Sequence, residues 1–394
     1  MAEPPVAPSV VPTVAPSVVR WPSATLPTWL DRPEPPVTAL PGVIRIHLDE
    51  LTGRLGIYQH ARGREPDPAH GYCTDDVARA AIVDVLHGRQ LGFEAVESSL
   101  EVSLAFLAAA FVARTGRLRN FRDDAGQWLE PMGSPDSHAR GVQALGVIAG
   151  EVLPGVLRGR ARHLLDLTLP AAVDLEGLRP AAHVVLGCLA ALRGGQPPAS
   201  AQLILEELAG RIMIAFRAGD DEWPWPEPVA TYENALLPQV LIEAGDWLGD
   251  RAMVEQGLAS LDWLLAAQLA PIGYVELVGN AGWWPRGDVP ARFDQQPIDA
   301  AALVDALAAA WRVTGERAWL IELDRAYAWF SGWNSAGIPV AEPDRGGCGD
   351  GLSAVGVNAN QGAESTLAWL AATEAVRLIR SPFSPRRPPP RGAG

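Results

Sequence analysis

Apolar side chains at Ala78, Ala81, Ile82, Val85 and Leu86 recur at helical spacing. The spacing predicts a helix over about 75–90 with one buried face. Two adjacent carboxylates, Asp75 and Asp76, stand at its cap and first turn. There they can accept free backbone N–H groups and meet the positive end of the helix dipole. A similar pattern, a polar cluster opening an apolar helix, recurs about six times along the chain. The same periodicity predicts further helices near 43–54, 95–113, 155–170, 178–193, 199–217, 251–268, 298–313, 316–331 and 361–379, and others starting near 136 and 231. Apart from some strand character in LRNFRDDAGQWLE, little else is strand-like.

The connections alternate in length. Long Gly/Trp-rich loops precede the helices that open near Asp75, Asp136, Glu233, Ile298 and Gly362. Short links such as Gly249–Asp250 and Thr314–Gly315 lead into the helices between them. Long loops in a compact domain usually carry function. Alternating links in an all-helical chain predict two concentric rings: inner helices that all start at one end, outer helices that return. The expected fold class is all-α, an (α/α)6 toroid. The repeat spacing, roughly 45–65 residues, is too irregular for a solenoid. Small residues mark the expected inner helices: Ala78, Ala80 and Ala81; Ala144 and Gly146; Ala181, Ala182, Gly187 and Ala190. The outer 316–331 carries Glu316, Arg317, Glu322, Asp324 and Arg325, as a solvated face should.

Composition narrows this picture. Of 394 residues 48% are hydrophobic, enough for one large core. Residues 1–40 form a Pro-rich segment expected to be disordered, 41–380 the folded toroid, and 381–394 a disordered Pro/Arg tail. A net charge of −14 with no basic stripe argues against nucleic acid. Cys73, Cys188 and Cys348 form neither a disulfide framework nor a zinc motif, and the seven histidines show no HxxxH or HExxH. The N-terminus lacks a signal-peptide pattern, and no apolar stretch is long enough to span a bilayer. A cytoplasmic protein is expected. Fourteen Trp outnumber five Tyr; indoles fill cores but also cover sugar faces.

If six helix starts share one opening, their polar clusters meet. These are Asp75 and Asp76; Asp136, His138 and Arg140; Arg179 and His183; Glu227, Tyr232, Glu233 and Asn234; Gln295, Gln296 and Asp299; and Asn360, Gln361 and Glu364. Trp223, Trp225, Trp283 and Trp284 flank them in the loops. Acids and amides grip hydroxyls and indoles cover an apolar ring face, which suits a polyhydroxylated ligand. Plainer roles stand beside each. Asp75, Asp76 and Asp136 can be caps, Glu364 a helix-start charge, and His138 and His183 satisfied core residues. Glu227, between Pro226 and Pro228, is not explained by capping.

GYCTDDVARA, PDSHARGVQALG, WPWPEPVATYENALLP, FDQQPIDAAAL, GGCGDGL and NANQGAESTLAWL together resemble the motif series of a bacterial family of six-hairpin glycosidase-like domains. Members occur alone or fused to glycosyltransferase domains, and so are often labelled glycosyltransferase. The resemblance covers about 45–375 and implies an (α/α)6 toroid with a carbohydrate role. The chain departs from the family at Val77, where Asn is usual, at Ala139, where Gly is usual, at Pro226 and Pro228, and at Asp299, where Glu is usual. Loss of the Asn would remove one sugar hydrogen bond. No Gly-rich nucleotide site of a transferase is present.

The first expectation is an enzyme acting on glycosidic bonds, which needs a proton donor and a second carboxylate. Asp76 or Glu227 is the candidate acid, and Glu364 or Asp75 its partner. Asp136, His138, Arg140, Trp225, Tyr232, Glu233, Asn234, Trp284, Gln295, Gln296, Asp350, Asn360 and Gln361 are candidate substrate contacts. Inverting stereochemistry is expected by fold-level analogy. A sugar epimerase or isomerase, with His138 and His183 as acid and base, is the second reading. A non-catalytic carbohydrate-binding domain is the third. No cofactor or metal is expected. The expected partners are an oligosaccharide or glycoside and a glycosyltransferase encoded nearby, with no nucleic acid and no membrane.

Overall fold

The computed structural model describes residues 33–151, 155–195 and 197–381. The expected leader falls outside these up to residue 32, and the expected tail from residue 382. Among the described residues there are twelve α-helices: α1 (Ile46–Leu51), α2 (Thr74–Leu91), α3 (Glu97–Ala110), α4 (Pro135–Gly150), α5 (Gly155–Ala172), α6 (Leu178–Arg193), α7 (Ala201–Phe216), α8 (Leu236–Leu248), α9 (Arg251–Gln268), α10 (Pro297–Thr314), α11 (Arg317–Ala328) and α12 (Ala363–Arg380). Strands occur only as short antiparallel pairs in the connections.

Packing sorts the helices into two rings. Helix α2 packs on α4, α4 on α6, α6 on α8, α8 on α10, α10 on α12, and α12 on α2 again. That closed inner ring is clothed by α3, against α2 and α5, and by α5, α7, α9 and α11, each against the inner helices before and after it, with the short α1 against α12. The molecule is an (α/α)6 toroid, as the alternation of long and short links implies.

An inner helix has neighbours on every side, so its apolar surface cannot be one stripe. In α2 the residues between the expected face are buried as well: Val77 and Val83 are core, and Asp84 and His87 are enclosed. The close approach of α4 and α6 depends on glycine. A Cβ on Gly146 would meet the Gly187 carbonyl oxygen at 2.1 Å, and one on Gly187 would meet the Gln143 Cα at 2.8 Å.

Helix α8 differs from expectation. It starts at Leu236 rather than near 231, because Glu233 adopts φ 45°, a left-handed backbone that a helix cannot contain. Trp283 and Asp294, in the long loop before α10, are the other non-glycine residues with positive φ among those described. All three lie in connections that lead into inner helices.

Candidate functional site

The N-terminal ends of the inner helices are joined by a chain of charged contacts. On α2, Asp76 accepts a hydrogen bond at Oδ1 from Arg79 Nη1 at 2.7 Å, and Arg79 Nη2 reaches Glu364 Oε2 on α12 at 2.8 Å. One guanidinium therefore spans two candidate catalytic carboxyls. Arg140 of α4 donates to Glu233 through both terminal nitrogens, and its Nε lies 3.7 Å from Asp75 Oδ1. His183 of α6 places Nε2 3.5 Å from Glu233 Oε2, while Nδ1 lies 2.8 Å from Gln143 Oε1. Asp299 of α10 accepts the Glu233 N–H at 2.6 Å. Every inner helix, or the turn leading into it, thus supplies a member.

A second knot lies between α4, α6 and the 227–234 segment. Arg179 Nη1 meets both oxygens of Glu227, at 3.0 and 2.8 Å, its Nη2 donates to Asn234 Oδ1 at 3.0 Å, and its Nε donates to the Tyr232 carbonyl. The same guanidinium lies 4.8 Å from the Tyr232 ring centre. Tyr232 donates its hydroxyl to Asp136 Oδ2 at 2.8 Å. The Trp283 ring is tilted against Tyr232, 6.4 Å between centres.

Burial and neighbours separate the carboxyls. Burial pushes Asp76 up to about 6, against the pull of Arg79 and with a further upward push from Glu364. Burial raises Asp299 well above the usual carboxylate range, and its Oδ2 has no hydrogen-bond partner. Glu233 is held far below that range: burial opposes its charge, but the Arg140 guanidinium outweighs it. Burial and Arg140 lower His183, so it favours the neutral form. Neighbouring acids of opposed proton affinity in one enclosure are what acid–base chemistry needs. Glu364 has 45% of its side chain exposed, so it is open to a ligand.

Several sequence candidates sit in or beside the loops that lead into α10 and α12. Asp350 accepts the Gly362 N–H at 2.7 Å and is raised by burial to about 6. Asn360 caps the Gly63 N–H at 2.9 Å, Gln361 donates to Glu342, and Gln296 donates to the Asp294 carbonyl. Others are not brought into the mouth. His138 is fully buried: its Nδ1 accepts the Leu118 N–H and its Nε2 meets the Thr168 carbonyl, and burial lowers it to about 4. Gln295 is fully buried, bonding Trp329 Nε1, the Leu277 N–H, the Arg292 carbonyl and Ser335. Trp225 packs into the wall on Trp263 and Phe216, and Trp284 stacks on Trp263 4.9 Å away. Tryptophans 223, 225, 263 and 284 are an aromatic brace between the long loops and α9. Val77, the position of the missing Asn, is completely buried, and a Cβ on Gly56 would meet its Cγ2 at 2.9 Å.

Sequence reasoning overlooked Arg79, Gln143 and Cys73. Arg79 was legible as the i+3 partner of Asp76, one helical turn on. Cys73 Sγ accepts the Asp76 N–H at 3.4 Å as the α2 cap and donates to Asp76 Oδ2 at 3.1 Å; a cysteine is outside the usual list of caps. Among the described residues no group of three or more His, Cys, Asp or Glu is placed to hold a metal ion, and no helix is long and apolar enough to cross a membrane.

No protein-family model matches the chain, and no curated protein matches it by sequence. Solved structures do match. Cellobiose 2-epimerase from Spirochaeta thermophila DSM 6192 superposes with a TM-score of 0.63 at 13% identity, over 86% of this chain and 96% of that one. The shared fold is the (α/α)6 toroid. A D-mannose isomerase gives 0.64 at 10% identity, covering 84% and 95%, and a family 76 glycoside hydrolase from a bovine Bacteroides thetaiotaomicron strain gives 0.56 at 8%, covering 86% and 77%. These neighbours of the toroid act on carbohydrates by epimerisation, isomerisation and hydrolysis, as their names state.

Proposed function

We propose that the mouth of the toroid binds a carbohydrate and acts on a glycosidic bond, with Asp76 as proton donor and Glu364 as the second carboxylate. One observation carries this reading: Arg79 holds both groups, Asp76 enclosed and proton-retaining, Glu364 open to the ligand. Glu227, the other candidate acid, has both oxygens on Arg179 and serves better as an anchor. Arg140, which lies 3.7 Å from Asp75, together with Glu233 and Tyr232, suits hydroxyl contacts.

The test is Asp76→Asn, Glu364→Gln and Glu227→Gln, each assayed on a panel of mannosides and glucosides. Loss of an acid–base group costs about 10²- to 10⁴-fold in rate. The first two variants should lose that much, and Glu227→Gln should chiefly raise KM. Full activity in Asp76→Asn and Glu364→Gln overturns the assignment.

A second reading, epimerisation or isomerisation of a sugar, is favoured by the names of two structural neighbours and by His183 beside Glu233. Exchange of a ring proton with solvent deuterium, followed by NMR, separates it from hydrolysis. Sugar binding without turnover in either assay would leave a binding domain. The buried free thiols of Cys73, Cys188 and Cys348 support a reducing, cytoplasmic setting. An associated glycosyltransferase belongs to the same proposal, and co-purification with one tests it.

A further inference from the structure

The cap of α2 is a cysteine whose sulfur touches the candidate acid twice. Cys73 is buried, its Sγ accepts the Asp76 N–H, and its S–H points to Asp76 Oδ2 at 3.1 Å, while Arg79 holds Oδ1 at 2.7 Å. We propose that Cys73 is a positioning residue that fixes the Asp76 carboxyl against Arg79 through a weak S–H donor, where a serine cap would supply a stronger one. This deepens the proposed function and rests on Asp76 acting as its acid.

Donor strength sets what the thiol does to the carboxyl. Burial and the two neighbouring aspartates raise the Cys73 thiol well above its usual range, so sulfur keeps its hydrogen and acts as donor to the carboxylate. A donor to the ionised form stabilises that form and lowers the carboxyl's proton affinity. Serine, the ordinary cap at this place, would donate a stronger O–H bond and draw Asp76 toward permanent ionisation. An alanine would give no donor, leaving Oδ2 free to turn. The thiol sits between these: it orients the oxygen but stabilises its charge weakly. It also marks Oδ1 and Oδ2 differently, since one faces a cation and the other a polarisable, nearly neutral group.

The prediction is an order. Asp76, followed by carbon-13 NMR of labelled aspartate and assigned by comparison with Asp76→Asn, should titrate highest in Cys73→Ala, lower in the wild type and lowest in Cys73→Ser. Chemical denaturation should show Cys73→Ser at least as stable as the wild type, because serine still caps the helix. A purely structural cap would move stability and leave the titration where it is. Equal Asp76 midpoints in all three proteins overturn the inference, whether or not the protein is a glycosidase. If the order holds but Asp76→Asn keeps full activity on every glycoside, the positioning role stands and only the proposed reaction fails. If the reaction holds too, the alkaline limb of the kcat/KM profile should move to lower pH in Cys73→Ser.

Discussion

Glu233 donates its backbone N–H to Asp299 Oδ1 across 2.6 Å while its own backbone stands at φ 45°. A side chain on the first turn of α10 thereby holds the turn before α8 in a conformation that a non-glycine residue rarely adopts. Removal of the acceptor leaves a buried N–H unpaired, which costs about 1–3 kcal/mol. Asp299→Ala should lower the unfolding free energy by about that amount in urea titration, and Asp299→Asn, which keeps the acceptor, should lose much less.

Arg140 and Glu233 form an enclosed ion pair, with 7% and 9% of their side chains exposed. Stripping one partner from such a pair costs about 3–5 kcal/mol, because the other charge stays behind. Arg140→Met should be destabilised on that scale at neutral pH. The folded-state pKa of Glu233 is depressed below its ordinary 4.5. Its contribution is therefore complete above that value and is lost as pH falls toward the folded pKa. The stability gap between wild type and Arg140→Met should narrow as pH drops below about 4, measured by denaturation across pH.

Asp76 behaves in the opposite sense. Its folded pKa is raised to about 6. The stability it adds is present below its ordinary 3.8 and disappears as pH rises through about 6. As a proton donor it is also active only while protonated, so kcat/KM should fall as pH rises past about 6. Arg79→Met removes the cation that favours the charged form. The same limb should then move to higher pH, a shift that a rate profile records directly.

Helices α4 and α6 meet through Gly146 and Gly187. Gly146→Ala drives a methyl group into the Gly187 carbonyl, and backbone cannot swing aside as a long side chain can. Overpacking of this kind costs about 1–3 kcal/mol or more. Denaturation should show that loss for Gly146→Ala and Gly187→Ala, whereas Gly159→Ala, on the outer α5 with open space around it, should be neutral or slightly stabilising.

Much of this was legible beforehand where local chemistry decides it. The α6 and α9 bounds match their apolar periodicity residue for residue, and the link lengths imply the ring. The start of α8 was not legible, because Tyr232, Glu233 and Asn234 are compatible with helix and only distant partners, Asp299 66 positions from Glu233 and Arg179 on α6, hold them in another shape. His138 and Gln295 carry the same functional groups as the other candidate site residues; only the partners supplied by Leu118, Thr168 and Trp329 consign them to the wall.

The order of apolar, small and polar residues by itself determined a chain of helix pairs with a polar cluster at the start of each inner member, since helix formation, capping and amphipathicity act over a few residues. Which acids face one another was decided only by closure of the ring. Closure puts Arg79 of α2 between Asp76 and Glu364, and Arg140 of α4 between Asp75 and Glu233. Charge coupling depends on distance in space and on loss of water, and neither is written in sequence separation.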